Sequence, residues 1–266
     1  MKIYVCVKQV PDTSGKVAVN PDGTLNRASM QTIINPDDMN AVEAALKIKD
    51  ATGCKVTVVT MGPPPAAGML REALAMGADE AYLVSAREFG GSDTYATSQI
   101  LAAAIDTLGV EKDDVILCGR QAIDGDTAQV GPQIAEKLHL PQVTYAANIT
   151  KEGDTITVQR MLEDGYMTIK VQTPCLITCI KELNNPRYMS IGGILSTYSK
   201  PLTTLGYEDL KDHPLIDATT IGLKGSPTNI FKSFTPPQKG VGMMLEGDGK
   251  ETCEKLAGIL AAKHII

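Results

Sequence analysis

The chain has 266 residues, of which 43% are hydrophobic and 21% charged, and a formal net charge of -6. This length suits one large α/β domain with an appendage, or two small domains. The acidic balance disfavours a general nucleic-acid-binding protein, because such proteins are usually basic. No apolar run of about 18 residues could insert into a bilayer, and Lys8 interrupts the apolar N-terminal run before it could form a signal-peptide core. We therefore expect a cytoplasmic protein without membrane insertion.

The cysteines and histidines do not form the spacing of a metal site. Of the six cysteines only Cys175 and Cys179 are close, at i and i+4, and no C-x-x-C occurs. The three histidines are scattered, and no nucleophile, base and orienting acid occur at motif spacing. We expect no metal site and no catalytic residue. If the protein does redox work, a cofactor must supply the reactivity.

The first 140 residues alternate short β-branched runs with helical patterns. Strands are predicted at 3–7, 56–60, 81–84 and 115–118, and helices at 35–52, 66–76, 93–108 and 127–138. Asn35 is a candidate cap of the first of these helices, Pro36 suits its first position, and Asp37 and Asp38 favour the positive end of its dipole. This alternation predicts βαβ units and a doubly wound, mostly parallel, Rossmann-like sheet.

The pattern changes after Pro141. Strand-like runs at 143–149, 155–160, 167–172 and 175–180 are separated by short turns. They predict a β-meander or an antiparallel extension of the sheet. Residues 184–247 show weak periodicity and should lie across another surface. A short amphipathic helix is predicted at 250–263.

The segment from Gly119 to Pro132 is the strongest candidate for a binding site. It follows a buried strand and opens a helix, so it lies at the carboxyl end of a strand, where ligands bind in open α/β sheets. Free N–H groups at the helix start can hold a phosphate. Asp124 and Asp126 would repel that phosphate, so we expect them to cap the helix or accept ribose hydroxyls, with Asp126 and Gln129 forming a capping box. The alternative is an ordinary strand-to-helix turn with a good cap.

Three further loops should converge on the same sheet edge. They are residues 8–13 after the first strand, residues 61–63 after the second, and the helix start at 35–38. Each alone is more often a turn or a cap than a site. Their convergence is what a doubly wound fold predicts for a bound nucleotide.

At these residues the sequence resembles the beta subunit of electron transfer flavoproteins. The matching segments follow family order over most of the chain: residues 7–12, 35–36, 41–46, 73–79 and 119–132, Pro174 before an apolar strand, and residues 185–188. The resemblance implies a heterodimer with an alpha subunit. It divides the chain into an α/β nucleotide- or flavin-binding domain at 1–200 and a C-terminal arm and helix at 201–266 that wrap the alpha subunit.

The resemblance also implies a cofactor pocket. Carried over by position, its residues are Cys6, Lys8, Asn35, Pro36, Asp37, Asp38, Met61, Gln121, Ala122, Ile123, Asp124, Gly125, Asp126, Thr127, Ala128, Gln129, Val130, Gly131, Pro132 and Gln133. Ordinary members hold AMP there, and electron-bifurcating members hold FAD. Ordinary members carry a bulkier or more acidic residue at the position of Gly125, so the resemblance favours FAD, with AMP as the alternative.

The implied role is that of a redox-active flavoprotein subunit in an NADH-dependent bifurcating complex of anaerobic metabolism. NADH would pass a hydride to this FAD. One electron would go to ferredoxin or flavodoxin, and the other through the alpha-subunit FAD to a flavin-dependent dehydrogenase of acyl-CoA or lactate type. The non-bifurcating alternative carries electrons from a dehydrogenase and holds structural AMP.

In the family, the loop after an Asn-Glu-Pro-Arg-Tyr run anchors the dehydrogenase through an apolar residue. Here it maps to residues 184–195, with Ile191 as the anchor, and the implied partner-binding residues are Arg187, Tyr188, Ile191, Ile194 and Leu195. The alternative is a mobile glycine turn with Ile191 packed in the chain's own core. Where many relatives carry a lysine-rich run, this chain has residues 194–200, with one lysine.

A third hypothesis, independent of the resemblance, is an adenylating or ATP-hydrolysing enzyme with an α/β nucleotide-binding fold. It requires a phosphate-binding loop such as G-x-x-x-x-G-K-[ST]. The sequence contains neither that motif nor a serine-rich pyrophosphate loop.

Overall fold

A computed structural model describes residues 1–12, 31–229, 231, 237 and 240–266. Its strands are β1 (Lys2–Cys6), β2 (Gln9–Pro11), β3 (Thr32–Ile34), β4 (Lys55–Met61), β5 (Glu80–Val84), β6 (Val115–Gly119), β7 (Gln142–Glu152), β8 (Thr155–Met161), β9 (Tyr166–Gln172), β10 (Cys175–Cys179) and β11 (Leu202–Leu205). Its helices are α1 (Pro36–Thr52), α2 (Ala67–Met76), α3 (Thr94–Leu108), α4 (Val130–Lys137), α5 (Ile191–Ser196), α6 (Tyr207–Leu210), α7 (Gly222–Gly225) and α8 (Gly249–Ala262). Among these helices, none is long and apolar enough to cross a membrane.

The strands form a nine-stranded sheet in the order β11-β5-β4-β1-β6-β10-β7-β8-β9. The seven strands from β11 to β7 are parallel to their neighbours, and β8 and β9 continue the sheet as antiparallel hairpins. The doubly wound, mostly parallel sheet with a β extension is thus confirmed. β2 and β3 form a separate antiparallel pair.

One strand of the expected extension lies elsewhere. The sequence pattern places β10 after β9 in the meander, but this strand returns to the parallel sheet between β6 and β7. Its run Cys175–Cys179 is fully buried, which fits a central position because a strand covered on both faces needs no polar side. A two-residue link from β9 cannot be distinguished from a hairpin turn by local pattern alone.

Helices cover both faces of the sheet. α1 and α2 pack with Ile3 and Val5 of β1 in one core. α3 and α4 pack with Tyr4 and Cys6 of the same strand in a second core on the opposite face. Alternate residues of β1 therefore point into different cores, as the two-residue period of a strand requires.

The C-terminal region is more ordered at its start than its weak periodicity suggests. β11 pairs in parallel with β5 and forms one edge of the main sheet. α8 closely matches the helix predicted at 250–263, and none of its residues is buried. The division of the chain at residue 200 stays a prediction.

Candidate functional site

The site lies at the point where the strand order reverses. β4 flanks β1 on one side and β6 flanks it on the other, with Cys6 and Cys118 in register near the ends of their strands. In open α/β sheets the crevice outside the carboxyl ends at such a switch point is the usual ligand site. The loops after β1 and β6 and the start of α1 meet here.

Asp38 joins these three segments. Its two carboxylate oxygens accept hydrogen bonds from the backbone N–H groups of Lys8 and Gly119, both at 2.8 Å. Gly119 is required by this contact, since a Cβ there would lie 2.3 Å from Oδ1 of Asp38. The loops after β1 and β6 are therefore tied to one buried side chain at the start of α1.

Burial controls the protonation of this group. Desolvation raises the pKa of Asp38 to about 7, and the hydrogen bonds from Lys8 and Gly119 act in the opposite direction. Desolvation also raises the pKa of Asp37, against the attraction of Arg120. The pKa of the buried Cys6 thiol is raised to about 12 for the same reason, so Cys6 lies beneath the site as an un-ionised apolar group.

Asn35 ties α1 to the loop after β6. Its side-chain amide donates to the carbonyl oxygen of Gln121 at 2.8 Å, and its Oδ1 accepts from the backbone N–H of Ile123 at 3.1 Å. The expected side-chain cap is wrong, because Asn35 precedes the helix but caps none of its N–H groups. The side chain instead positions a loop 86 residues away.

The two aspartates of the loop both have side-chain partners within the chain. Asp124 accepts from Nζ of Lys8 at 2.7 Å, and Asp126 accepts from the side-chain amide of Gln121 at 2.8 Å. Neither is positioned as a helix cap. The expected capping box is wrong because α4 begins at Val130 rather than near Thr127, which leaves Asp126 four residues before the helix.

The stretch before α4 carries backbone donors that have no partner among the described residues. Asp126 and Ala128 have φ values of 53° and 52°, while Gln129 is in the right-handed helical region. A left-handed residue followed by a right-handed one, as at Ala128 and Gln129, can turn successive N–H groups to one side and make an anion-binding nest. In the described part of the chain, no acceptor is found for the backbone N–H groups of residues 127–131. We call residues 127–131 the nest.

The other pocket residues lie at the ends of strands and the starts of helices at this edge of the sheet. Met61 ends β4, Pro36 to Asp38 form the first turn of α1, and Val130 to Gln133 form the first turn of α4. Ala122 belongs to the turn in which its carbonyl oxygen accepts from Gly125 N and Asp126 N. Oε1 of Gln133 is buried without a partner among the described residues. The residues that the resemblance carried over are thus brought together at one edge of the sheet.

Two residues of the site were not named as pocket residues from the sequence. Nε of Arg120 lies 3.2 Å from Oδ2 of Asp37, an ion pair whose N–H is not aligned for a hydrogen bond. Oγ1 of Thr94, at the start of α3, donates to Oε1 of Gln129 at 3.1 Å. Arg120 directly follows β6 and lies in the candidate segment from Gly119 to Pro132, although the resemblance did not place it among the pocket residues. No local signal marks Thr94.

A second feature is an exposed apolar segment after β10. We call residues 188–198 the docking segment. Its large side chains are exposed: Tyr188 by 96%, Ile191 by 79%, Leu195 by 74% and Tyr198 by 82%. Ile191 therefore does not pack in the chain's own core, which excludes that alternative. Ile194 is 45% exposed, and Arg187 is turned toward α1.

A separate open groove of about 540 Å³ lies between β3, α1 and the segment 181–186. Its walls are mainly apolar and include Ile33, Met39 and Pro186. It shares only Pro36 with the cofactor pocket predicted from the resemblance, so it is a different feature of the surface.

Comparisons with known proteins agree on one family. The family described as "Electron transfer flavoprotein domain" matches residues 22–210. The chain is 72% identical to the acryloyl-CoA reductase electron transfer subunit gamma of Anaerotignum propionicum, over the full length of both chains. It is 55% identical to the caffeyl-CoA reductase-Etf complex subunit CarD of Acetobacterium woodii and 49% identical to the electron transfer flavoprotein subunit beta of Clostridium acetobutylicum, again over the full length of each pair.

Proposed function

We infer the function of this chain from its family. It belongs to the electron transfer flavoproteins, as a member of their beta-subunit group. We propose that it pairs with an alpha subunit and serves a flavin-dependent dehydrogenase or reductase that acts on an acyl-CoA thioester. The partner class is supported by the relatives named as subunits of acryloyl-CoA and caffeyl-CoA reductases. A lactate-type dehydrogenase is the alternative partner.

The nest carries the proposal that this subunit holds a dinucleotide. Its unpaired N–H groups lie at the switch point and suit a phosphate or pyrophosphate. Lys8 neutralises Asp124, and Asp126 accepts a hydrogen bond from the side-chain amide of Gln121, so both carboxylates are held by side chains of this chain. Asn35 and Asp38 fix the loops that frame the pocket.

Gly125 favours FAD over AMP in this pocket. A Cβ at this position would meet no atom within 4 Å, so the loop leaves open space where, by the resemblance, ordinary members carry a bulkier or more acidic residue. When bound, FAD would accept a hydride and release electrons singly. The chain's own residues would bind the pyrophosphate, orient the ligand against β1 and β6, and keep Cys6 and Cys118 un-ionised beneath it.

With FAD in this pocket, we propose that the complex is electron-bifurcating. NADH is the donor, and ferredoxin or flavodoxin is the low-potential acceptor. The second candidate is a non-bifurcating carrier with structural AMP, favoured by the same nest because AMP presents one phosphate to it.

Cofactor content of the purified heterodimer tests the choice. Released nucleotides should be separated by chromatography and quantified against protein. Two FAD and no AMP per heterodimer would support the bifurcating proposal. One FAD and one AMP would assign this chain to the ordinary carriers.

Gly125→Glu tests the pocket itself. The added carboxylate would lie between Asp124 and Asp126 and occupy the open space beside the nest, so we expect flavin content to fall from two FAD per heterodimer toward one. Gly165→Glu is the matched control, since a Cβ on this glycine, in the turn between β8 and β9, would also meet no atom within 4 Å. Full flavin content in the Gly125 variant would show that this loop does not bind FAD.

A further inference from the structure

We propose that Arg187 is a positioning residue: it holds the docking segment against α1 and does not itself contact the partner. This inference rests on the proposed function, in which the exposed apolar side chains of that segment meet the dehydrogenase. It separates Arg187 from Ile191 and Leu195, with which the family resemblance groups it.

The guanidinium of Arg187 is committed to α1. Its Nε and Nη2 donate to the two carboxylate oxygens of Glu43 at 2.8 and 3.1 Å, and its backbone N–H also donates to Glu43 at 3.0 Å. Nη2 further donates to Asp50, farther along the same helix, at 2.7 Å. This is the two-pronged geometry that makes arginine–carboxylate pairs specific.

Burial makes this pair hard to break. The side chain of Glu43 is 4% exposed, whereas that of Arg187 is 33% exposed. If Arg187 swung away to contact a partner, a buried carboxylate would lose its counter-ion, which is far more costly than losing an exposed pair. Arg187 is therefore bound to α1 and is not free to contact a partner surface.

A second contact secures the same end of the segment. The side-chain amide of Asn40 donates to the backbone and side-chain oxygens of Asn184 at 2.7 and 3.0 Å, and Asn184 donates back to the carbonyl oxygen of Asn40 at 2.9 Å. Asn40, Glu43 and Asp50 all belong to α1. The chain is thus fixed to one helix just before the docking segment begins.

The far end of the segment is fixed to α2. Arg71 donates to the carbonyl oxygen of Thr197 at 2.6 Å, and the Thr197 hydroxyl donates to the carbonyl oxygen of Arg71 at 3.1 Å. Nζ of Lys200 donates to the carbonyl oxygens of Leu74 and Ala78 near the end of α2. Charged groups at both ends thus bind to this chain, which leaves the apolar side chains between them free for a partner.

These contacts order the docking segment before the partner binds. Ordering flexible residues on binding costs free energy, so a preset segment binds more tightly than a loose one of the same composition. α1 also carries Asp37 and Asp38 at its first turn, so one rigid helix positions both the nucleotide pocket and the docking segment. The separation between pocket and partner surface is therefore set by α1.

The test uses the heterodimer with Arg187→Ala, Arg187→Lys, Glu43→Gln and the double variant Arg187→Ala/Glu43→Gln. Glu208→Gln, which removes an exposed ion pair with Lys211, is the control. Hydrogen exchange of the amides at 188–198 is measured without the dehydrogenase. The KM for the dehydrogenase, the saturated transfer rate and the bound flavin are measured in the same preparations.

We expect Arg187→Ala to speed exchange across the docking segment and to raise the KM about tenfold, with the saturated rate and flavin content unchanged. Glu43→Gln should act in the same direction, the double variant should be no worse than Arg187→Ala, and Arg187→Lys should recover part of the loss. The control should match the unmodified protein.

Two results would overturn the inference. In the first, Arg187→Ala raises the KM while exchange at 188–198 is unchanged and Glu43→Gln has no effect, which would make Arg187 a direct partner contact. In the second, Arg187→Ala changes neither exchange nor KM. A different result would refute only the proposed docking function. In that case Ile191→Ala leaves the KM for the dehydrogenase unchanged, while Arg187→Ala still speeds amide exchange at 188–198.

Discussion

Asp38 lies where three segments that are distant in the sequence meet. Its partners are the backbone N–H groups of Lys8 and Gly119, 30 and 81 residues away. Each oxygen satisfies one buried donor, so the side chain fixes both loops of the pocket at once. Above its raised pKa the carboxylate is suited to this task, because both of its oxygens then accept and neither donates.

The raised pKa of Asp38 predicts how stability depends on pH. Its carboxyl binds a proton more tightly in the folded chain, with a pKa of about 7, than at its ordinary value of 3.8. The folded state therefore holds the extra proton between about pH 4 and pH 7, and this contribution to stability is fully present below about pH 4 and lost as pH rises through about 7. Urea unfolding at a series of pH values should show this decline.

Asp38→Asn provides the matching measurement. The amide keeps one acceptor but turns an N–H₂ group toward the other backbone donor, so above pH 7, where Asp38 is ionised, we expect the free energy of unfolding to fall by about 1–3 kcal/mol. Its decline between pH 4 and pH 7 should also be smaller than in the unmodified chain. Equal declines in both proteins would assign the proton to another group.

At the scale of elements, short helices here depend on contacts more than on their own sequence. α5 has six residues and contains two adjacent glycines, which favour a helix poorly. It is held because the Ser190 hydroxyl accepts from the Gly193 N–H at 2.9 Å and because its backbone lies close to α2. A Cβ on Gly193 would lie 2.1 Å from the carbonyl oxygen of Ala75.

This close approach predicts different effects for the two glycines. Gly193→Ala must push α5 away from α2, so the free energy of unfolding should fall by about 1–3 kcal/mol, and affinity for the dehydrogenase should fall with it. Gly192→Ala is the control, because a Cβ there meets no atom within 4 Å. Equal unfolding curves for the two variants would show that α5 does not rest on α2.

The whole molecule combines a densely packed sheet domain with a C-terminal segment, residues 240–266, in which no residue is buried. α8 contains no buried residue, and Val241, Met243 and Met244 before it are exposed. Exposed apolar side chains in series mark a surface that another chain covers. The proposed alpha subunit is the partner that we expect to cover them.

Deletion of residues 249–266 tests this expectation. The thermal midpoint of the beta chain alone should change little, because α8 contributes no buried residue to the core, whereas affinity for the alpha subunit should fall. Ile134→Ala in α4 should do the reverse, since its side chain is fully buried and such truncations cost about 2–5 kcal/mol. A large loss of thermal stability on deleting α8 would contradict a purely intermolecular role.

The sequence by itself determined the alternating α/β architecture, the central strands and the segment between β6 and α4 that we propose as the site. Those properties depend on short-range patterns: β-branched runs, helical spacing, and glycines and prolines at turns. Only the tertiary structure decided that β10 enters the sheet beside β6, that Asn35 ties a loop instead of capping α1, and that Arg187 turns onto Glu43. The physical reason is distance along the chain, because the partners of Asn35 and Arg187 lie 86 to 144 residues away, and no local pattern specifies which distant groups will meet.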